Sequence, residues 1–123
     1  MNEYLELYHA FRYDIDELCG CKIIELAKAD GGFREIRSGE NLVGFLIVIN
    51  GYLEGLYVKP EYRRQGFGRK AVLSFIRQGG RVEHLHIVND NKIARKFWFS
   101  IFELRKIDST PIDTFYEIVR VKI

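Results

Sequence analysis

Gly55-Leu56-Tyr57-Val58-Lys59-Pro60-Glu61-Tyr62-Arg63-Arg64-Gln65-Gly66-Phe67-Gly68-Arg69 contains the end of a strand, a glycine-punctuated loop and the start of a helix. Leu53, Tyr57 and Val58 favour the extended state, and Pro60 ends it because proline has no N–H to give to a ladder. Gly66 and Gly68 let the backbone turn tightly and approach a ligand with no Cβ in the way. Beyond them, Ala71-Val72-Leu73-Ser74-Phe75-Ile76 places apolar residues at helical spacing. A helix starting there points its unpaired N–H groups and its positive dipole end into the loop. Such a place binds anions, and phosphate is the usual one.

The spacing narrows the choice of phosphate site. No Gly-x-x-x-x-Gly-Lys-Ser/Thr run exists in the chain. Gly66-Phe67-Gly68, with Ala71 at the third fingerprint position, could open a dinucleotide site. It lies mid-chain after a run of strands, however, and no second βαβ half follows. Val58-x-Pro60-Glu61-Tyr62-Arg63-x-x-Gly66-x-Gly68 instead resembles the acetyl-CoA loop of the GNAT-type N-acetyltransferases, whose signature is Gln/Arg-x-x-Gly-x-Gly/Ala. Arg63, Arg64, Arg69 and Lys70 surround the loop. Cations at a helix N-terminus oppose the dipole, so a phosphate ligand explains them better than a solvated helix start.

Length and composition agree with one small domain. A chain of 123 residues has room for one core, and the whole of 1–123 is expected to form one domain. Apolar content of 47% and charged content of 29% place it among soluble globular proteins. The longest apolar run, Leu42 to Ile49, has strand length, far short of a membrane span. Met1-Asn2-Glu3-Tyr4 shows no secretory n-region, so a cytoplasmic location is expected. Cys19 and Cys21 are too close for an ordinary disulfide and lack partners for a metal site, so they read as buried thiols. A net charge of +2 is too small to argue for nucleic acid, and the arginines of the loop already have a phosphate ligand to serve.

In order, residues 3 to about 29 read as two helices, with Tyr4, Leu7, Tyr8 and Phe11 as one stripe and Ile15 to Ala27 as the second. Gly31-Gly32 ends them. Strands are expected over Phe33–Arg37, Leu42–Ile49 and Tyr52–Val58, joined by turns at Ser38–Asn41 and at Asn50-Gly51. The loop helix runs to about Gln78. Val82–Val88 is a strand parallel to Tyr52–Val58, and Lys92 to about Ser100 is a short helix. A hairpin of Leu104–Ile107 and Phe115–Ile123 closes the chain. This order matches the GNAT fold: a mixed, mostly antiparallel α/β (α+β) sheet with helices on both faces and a splayed parallel strand pair. No strand precedes Tyr4, where family members usually have one.

The resemblance implies acyl transfer from acetyl-CoA to a primary amine. The cradle would be the backbone of Arg63, Arg64, Gln65, Gly66, Phe67, Gly68 and Arg69. The backbone at Leu56, Tyr57 and Val58 would pair with the pantetheine arm, where the strand splays at a bulge. Asn91-x-x-Ala94-x-x-Phe97-Trp98 is similar to the family's Asn-x-x-Ala-x-x-x-Tyr helix. Asn91 would bond pantetheine or serve as a plain N-cap, and Ala94 would let the arm pass. Trp98 stands where the family has its acid tyrosine, and an indole does not give up its proton at neutral pH. Either the thiolate leaves unassisted or through water, or the site no longer turns over. Tyr57, Tyr62 and Tyr116 are the candidate substitutes. Glu54 is the candidate base, with a salt bridge as its alternative role, and simple alternation puts it on the face of Leu56 and Val58. His84 and His86 share a face as candidate relays or structural histidines. The other class of function is a GNAT-like module that binds CoA and acts through a partner. The aromatic residues would suit a homodimer.

Overall fold

The computed structural model describes residues 25–122. The helical stripes before residue 25, Cys19, Cys21 and the absence of a strand before Tyr4 lie outside that range. Residues 25–30 are helical, and Gly31 ends the helix in the left-handed region at φ 76°. Strands β1 (Phe33–Ser38), β2 (Asn41–Ile49) and β3 (Tyr52–Val58) follow. A short 3₁₀ turn, Pro60–Tyr62, leads to helix α1 (Phe67–Arg77). Strand β4 (His84–Val88), helix α2 (Lys92–Ile101) and strands β5 (Phe102–Ser109) and β6 (Asp113–Val121) complete the described chain.

The six strands form one sheet in the order β1-β2-β3-β4-β6-β5, antiparallel everywhere except between β3 and β4. Asn50 and Gly51 take φ of 51° and 82°, the paired positive values of a tight hairpin, and so set the β2–β3 register. Residues Leu42 to Val48 are all buried, because β2 has layers on both faces. On one face α1 brings Val72 and Phe75, and α2 brings Ile101, onto Leu46, Val48, Leu53, Leu85 and Ile87. On the other, Ala27 packs with Phe45, Ile47 and Tyr57.

Two boundaries differ from expectation. Strand β4 starts at His84, not Val82, because the amides of Glu83 and His84 both donate to Gly51 O, and the chain joins the sheet only there. The last hairpin is longer than Leu104–Ile107 with Phe115–Ile123. Phe102 becomes extended directly after Ile101, with no turn residue between, and pairs with Val121. Arg105–Glu117 and Arg120–Glu103 ion pairs link the two strands on their exposed side. Among the described residues, no helix is long and apolar enough to cross a membrane.

Phe102 is fully buried at the junction of α2 and the sheet, whereas Ile112 is 67% exposed in the hairpin turn. Phe102→Ala should therefore cost roughly 3–5 kcal/mol in urea unfolding, and Ile112→Ala less than about 0.5 kcal/mol. Equal costs would show that the α2–β5 junction is not part of the core.

Candidate functional site

The site begins as a fork in the sheet. Strands β3 and β4 pair only at Tyr52↔His84 and Leu53↔Leu85. Beyond that point β3 keeps β2 on one side as far as Val58, and β4 keeps β6 as far as Val88, but nothing in the sheet joins the two arms. The cause is a bulge. In the β2–β3 ladder Ile47 faces Gly55 and Val48 faces Leu53, so Glu54 is the surplus residue of the ladder. An inserted residue bends its strand and raises the local twist, and here it does so where the parallel pairing stops.

The bulge also resets the alternation of side chains. Leu53 and Leu56 belong to the same apolar cluster although they are three positions apart. Glu54 sits in the irregularity itself, half-buried, so simple alternation does not by itself set the face it shares with Leu56 and Val58.

Backbone direction follows from one hydrogen bond. Lys59 N–H donates to Val43 O at 2.8 Å, and hydrogen-bonded pairs alternate along an antiparallel ladder. Tyr57 thus turns its N–H and C=O to Phe45 of β2, and a Cβ built on Gly44 would lie 2.0 Å from that Tyr57 carbonyl. Leu56 and Val58 turn theirs into the fork. Of the three residues expected to pair with a ligand's arm, Leu56 and Val58 are placed to do so and Tyr57 is not. Arg63 Nε donates to the Val58 carbonyl at 2.8 Å, so the open groups nearest the loop are amides. The Tyr57 ring is buried beside Phe45, with the Arg63 guanidinium 5.7 Å from its centre.

Helix α1 points its first turn at the same opening. Its N-cap, Gly66, is left-handed at φ 84° and offers no side chain to the helix. The first intrahelical bond runs from Lys70 N–H to Gly66 O, which leaves the amides before it without an intrahelical acceptor. No acidic residue occupies the first turn, and Arg63, Arg64, Arg69 and Lys70 are exposed around it. Arg64 is itself left-handed at φ 62°. Gln65 Nε2 donates to Glu61 O, and Phe67 packs edge-on to Tyr62 at 5.9 Å, so the loop is braced from within.

The two glycines do different jobs. A Cβ on Gly66 would meet nothing within 4 Å, so the space above it is open. A Cβ on Gly68 would meet Leu56 Cδ2 at 3.2 Å and Phe97 Cζ at 3.4 Å. The expectation that both glycines clear the way for a ligand is corrected for Gly68, which instead lets α1 dock against β3 and α2.

Helix α2 forms the other wall. Asn91 caps it, with Oδ1 accepting from Ala94 N–H at 2.9 Å, so only its Nδ2 is left to give to a ligand. Ala94 lies half-buried in the first turn. Trp98 stacks on Phe102 at 6.1 Å and meets Phe97 edge-on at 4.9 Å, as part of the packing under α2. Tyr116 is buried on that side too, its hydroxyl accepting from Arg95 at 3.1 Å. Two contacts lay beyond sequence reading. Phe97 closes on Gly68, and Tyr52 Oη meets His86 Nδ1 at 2.9 Å across 34 residues of chain. Neither has a local pattern to reveal it. Among the described residues, no cluster of His, Cys, Asp and Glu is placed to hold a metal ion.

Comparison with known proteins bears on this geometry. Among solved structures the chain is similar to PH1933 from Pyrococcus horikoshii OT3, with a TM-score of 0.72 and 17% identity over 95% of this chain and 88% of that one. It is similar to an acetyltransferase from Thermus thermophilus, with a TM-score of 0.65 and 22% identity over 88% and 76% of the two chains. It is also similar to the PaiA N-acetyltransferase of Thermoplasma acidophilum, solved in complex with coenzyme A, with a TM-score of 0.61 and 20% identity over 95% and 79%. At these identities the likeness is one of fold. No match was found among curated proteins. The sequence model of the acetyltransferase (GNAT) family matches residues 2–100, a span that takes in the fork, the glycine loop and almost all of α2. Fold, loop and family model agree, and the chain belongs to the GNAT acetyltransferase family.

Proposed function

We propose that the protein transfers an acetyl group from acetyl-CoA to a primary amine of a small molecule or a protein. The observation that carries this reading is the fork: an unpaired strand edge leading straight to the uncapped, cation-ringed end of α1. Bound acetyl-CoA would supply a diphosphate and an activated thioester. The residues present fit such a ligand. The first-turn amides of α1 and the exposed Arg63, Arg64 and Arg69 suit the diphosphate, while Gly66 keeps the approach open. The edge groups of Leu56 and Val58 suit the amide-bearing arm, as one more strand would. Asn91 Nδ2 and the short side chain of Ala94 border it from α2.

The chemistry asks two further things of the chain. A proton must leave the acceptor ammonium, and Glu54, half-buried in the bulge, is our base, acting through water. A proton must also reach the departing thiolate, or the thiolate must leave as such. Trp98 cannot serve, because its indole keeps its proton and its ring is stacked on Phe102. A thiol pKa of about 8.5 makes unassisted departure workable.

Calorimetry should show micromolar binding of acetyl-CoA. Gly66→Val should weaken it at least 100-fold while the domain stays folded, since the added strain is about 1–2 kcal/mol and no atom is struck. An absence of binding at millimolar ligand would end the reading. Glu54→Gln should lower kcat/KM by roughly 100-fold or more in a screen of amines and basic peptides read by free thiol release. Full activity in that variant would remove Glu54 as base, and firm binding with no amine acetylated would make the chain a CoA-binding module.

A further inference from the structure

The net charge of +2 conceals an uneven placement of charge. Residues 62–82 and 91–102, the stretches that hold α1 and α2, carry nine of the chain's 19 lysines and arginines and none of its 17 aspartates and glutamates. The rest of the chain is left with ten cations against those 17 acids. Both helices pack on one face of the sheet, where Val72 and Phe75 of α1 and Ile101 of α2 join the same cluster. Their outward sides thus form one cationic layer, with Lys70, Arg77, Lys92 and Lys96 all exposed.

A bound acyl-CoA accounts for the cations at the loop alone. Arg77 lies eight residues beyond Arg69 on α1, about 12 Å along the axis at 1.5 Å per residue. Lys92 and Lys96 stand on the other helix, one turn apart. Like charges at that spacing repel, and a cation in the first turn opposes the helix dipole. Among the described residues, the ion pairs are Arg37–Glu35, Arg81–Glu83, Arg105–Glu117 and Arg120–Glu103, and none of them involves α1 or α2. Charge that weakens the helices bearing it, with no carboxylate to answer it, points to an anionic partner outside the fold.

We propose that this helical layer docks on the phosphodiester backbone of a double-stranded nucleic acid. Protein interfaces have apolar centres and few lysines, whereas the exposed large apolar residue on α1 and α2 is Ile93 alone. Interfaces with nucleic acid are polar and strongly cationic, as this layer is. Single strands are held by stacking on exposed rings. Here Phe97, Trp98 and Phe99 pack against the core, and Arg95 lies over Phe99. An anionic lipid surface is gripped best by a helix that inserts apolar side chains, and those of α1 and α2 are turned to the sheet. Lysine and arginine on phosphate carry no sequence information, so the docking is independent of sequence.

Fluorescence anisotropy with short labelled duplexes tests this, in about 50 mM salt and with millimolar acetyl-CoA present to compete for the loop. Two duplexes of unrelated sequence should bind alike at micromolar protein. Log affinity should fall with log salt at a slope of roughly −3, at about −0.9 per phosphate contact. Arg77→Gln with Lys92→Gln and Lys96→Gln should weaken binding at least 10-fold and flatten the slope by roughly 2 to 3, with the urea midpoint unchanged. Arg77→Lys with Lys92→Arg and Lys96→Arg should restore it. No duplex binding, binding abolished by acetyl-CoA, or an unaltered slope in the glutamine variant would each overturn the proposal. So would tighter binding to polyglutamate, to a single strand or to phosphatidylserine vesicles than to the duplex, since each names a different partner.

Discussion

A parallel strand pair that bonds at two positions and then separates has to be held by something other than its own ladder. Here each arm is held from its far side, β3 by β2 and β4 by β6, and both are covered by one helical layer that buries Leu53, Leu85 and Ile87. The opening is the consequence of one surplus residue, Glu54, in an otherwise regular antiparallel register. Without it, nothing in the backbone would stop β3 and β4 from pairing further, and the amides of Leu56 and Val58 would be spent inside the sheet. The bulge thus exchanges ladder hydrogen bonds for an edge that a ligand can use.

The helix end and the fork are one device, because Gly68 ties them. Its missing Cβ lets the first turn of α1 settle on Leu56 of β3 and Phe97 of α2. The position of the uncapped first-turn amides is therefore set by contact with the strand edge that runs toward them. Gly66 has the complementary task. It takes a left-handed conformation and leaves open space where a side chain would stand. Two glycines two residues apart thus answer to different physics, one to packing and one to backbone conformation and access.

The two faces of the fork divide the remaining chemistry. Under α1 and α2 the surroundings are apolar and aromatic, with Trp98 and Tyr116 both committed to packing. The opposite face is polar near the same point, where Tyr52, His84 and His86 gather beside Phe115.

Much of the architecture was legible locally. Asn50-Gly51 can make a tight hairpin whatever surrounds it, and Tyr52–Val58 was bounded correctly at both ends. The loop at Gly66 announced itself because backbone strain and an uncapped helix start leave marks within a few residues. What no local pattern contained was register. A single extra residue decides which amides face outward, and that becomes defined only when β2 is laid beside β3; so Tyr57 read as a ligand contact though its backbone belongs to the ladder. The same holds for Gly68, whose neighbours come from two other elements, and for the abrupt passage from α2 to β5 at Phe102, which burial against the sheet enforces without a turn residue. Spacing and turn chemistry marked most of the elements, and the resemblance of the Arg63–Gly68 loop to the GNAT signature pointed to the family of fold. Only the pairing of distant strands decided where the sheet opens, because hydrogen-bond direction alternates with register and register belongs to the pair.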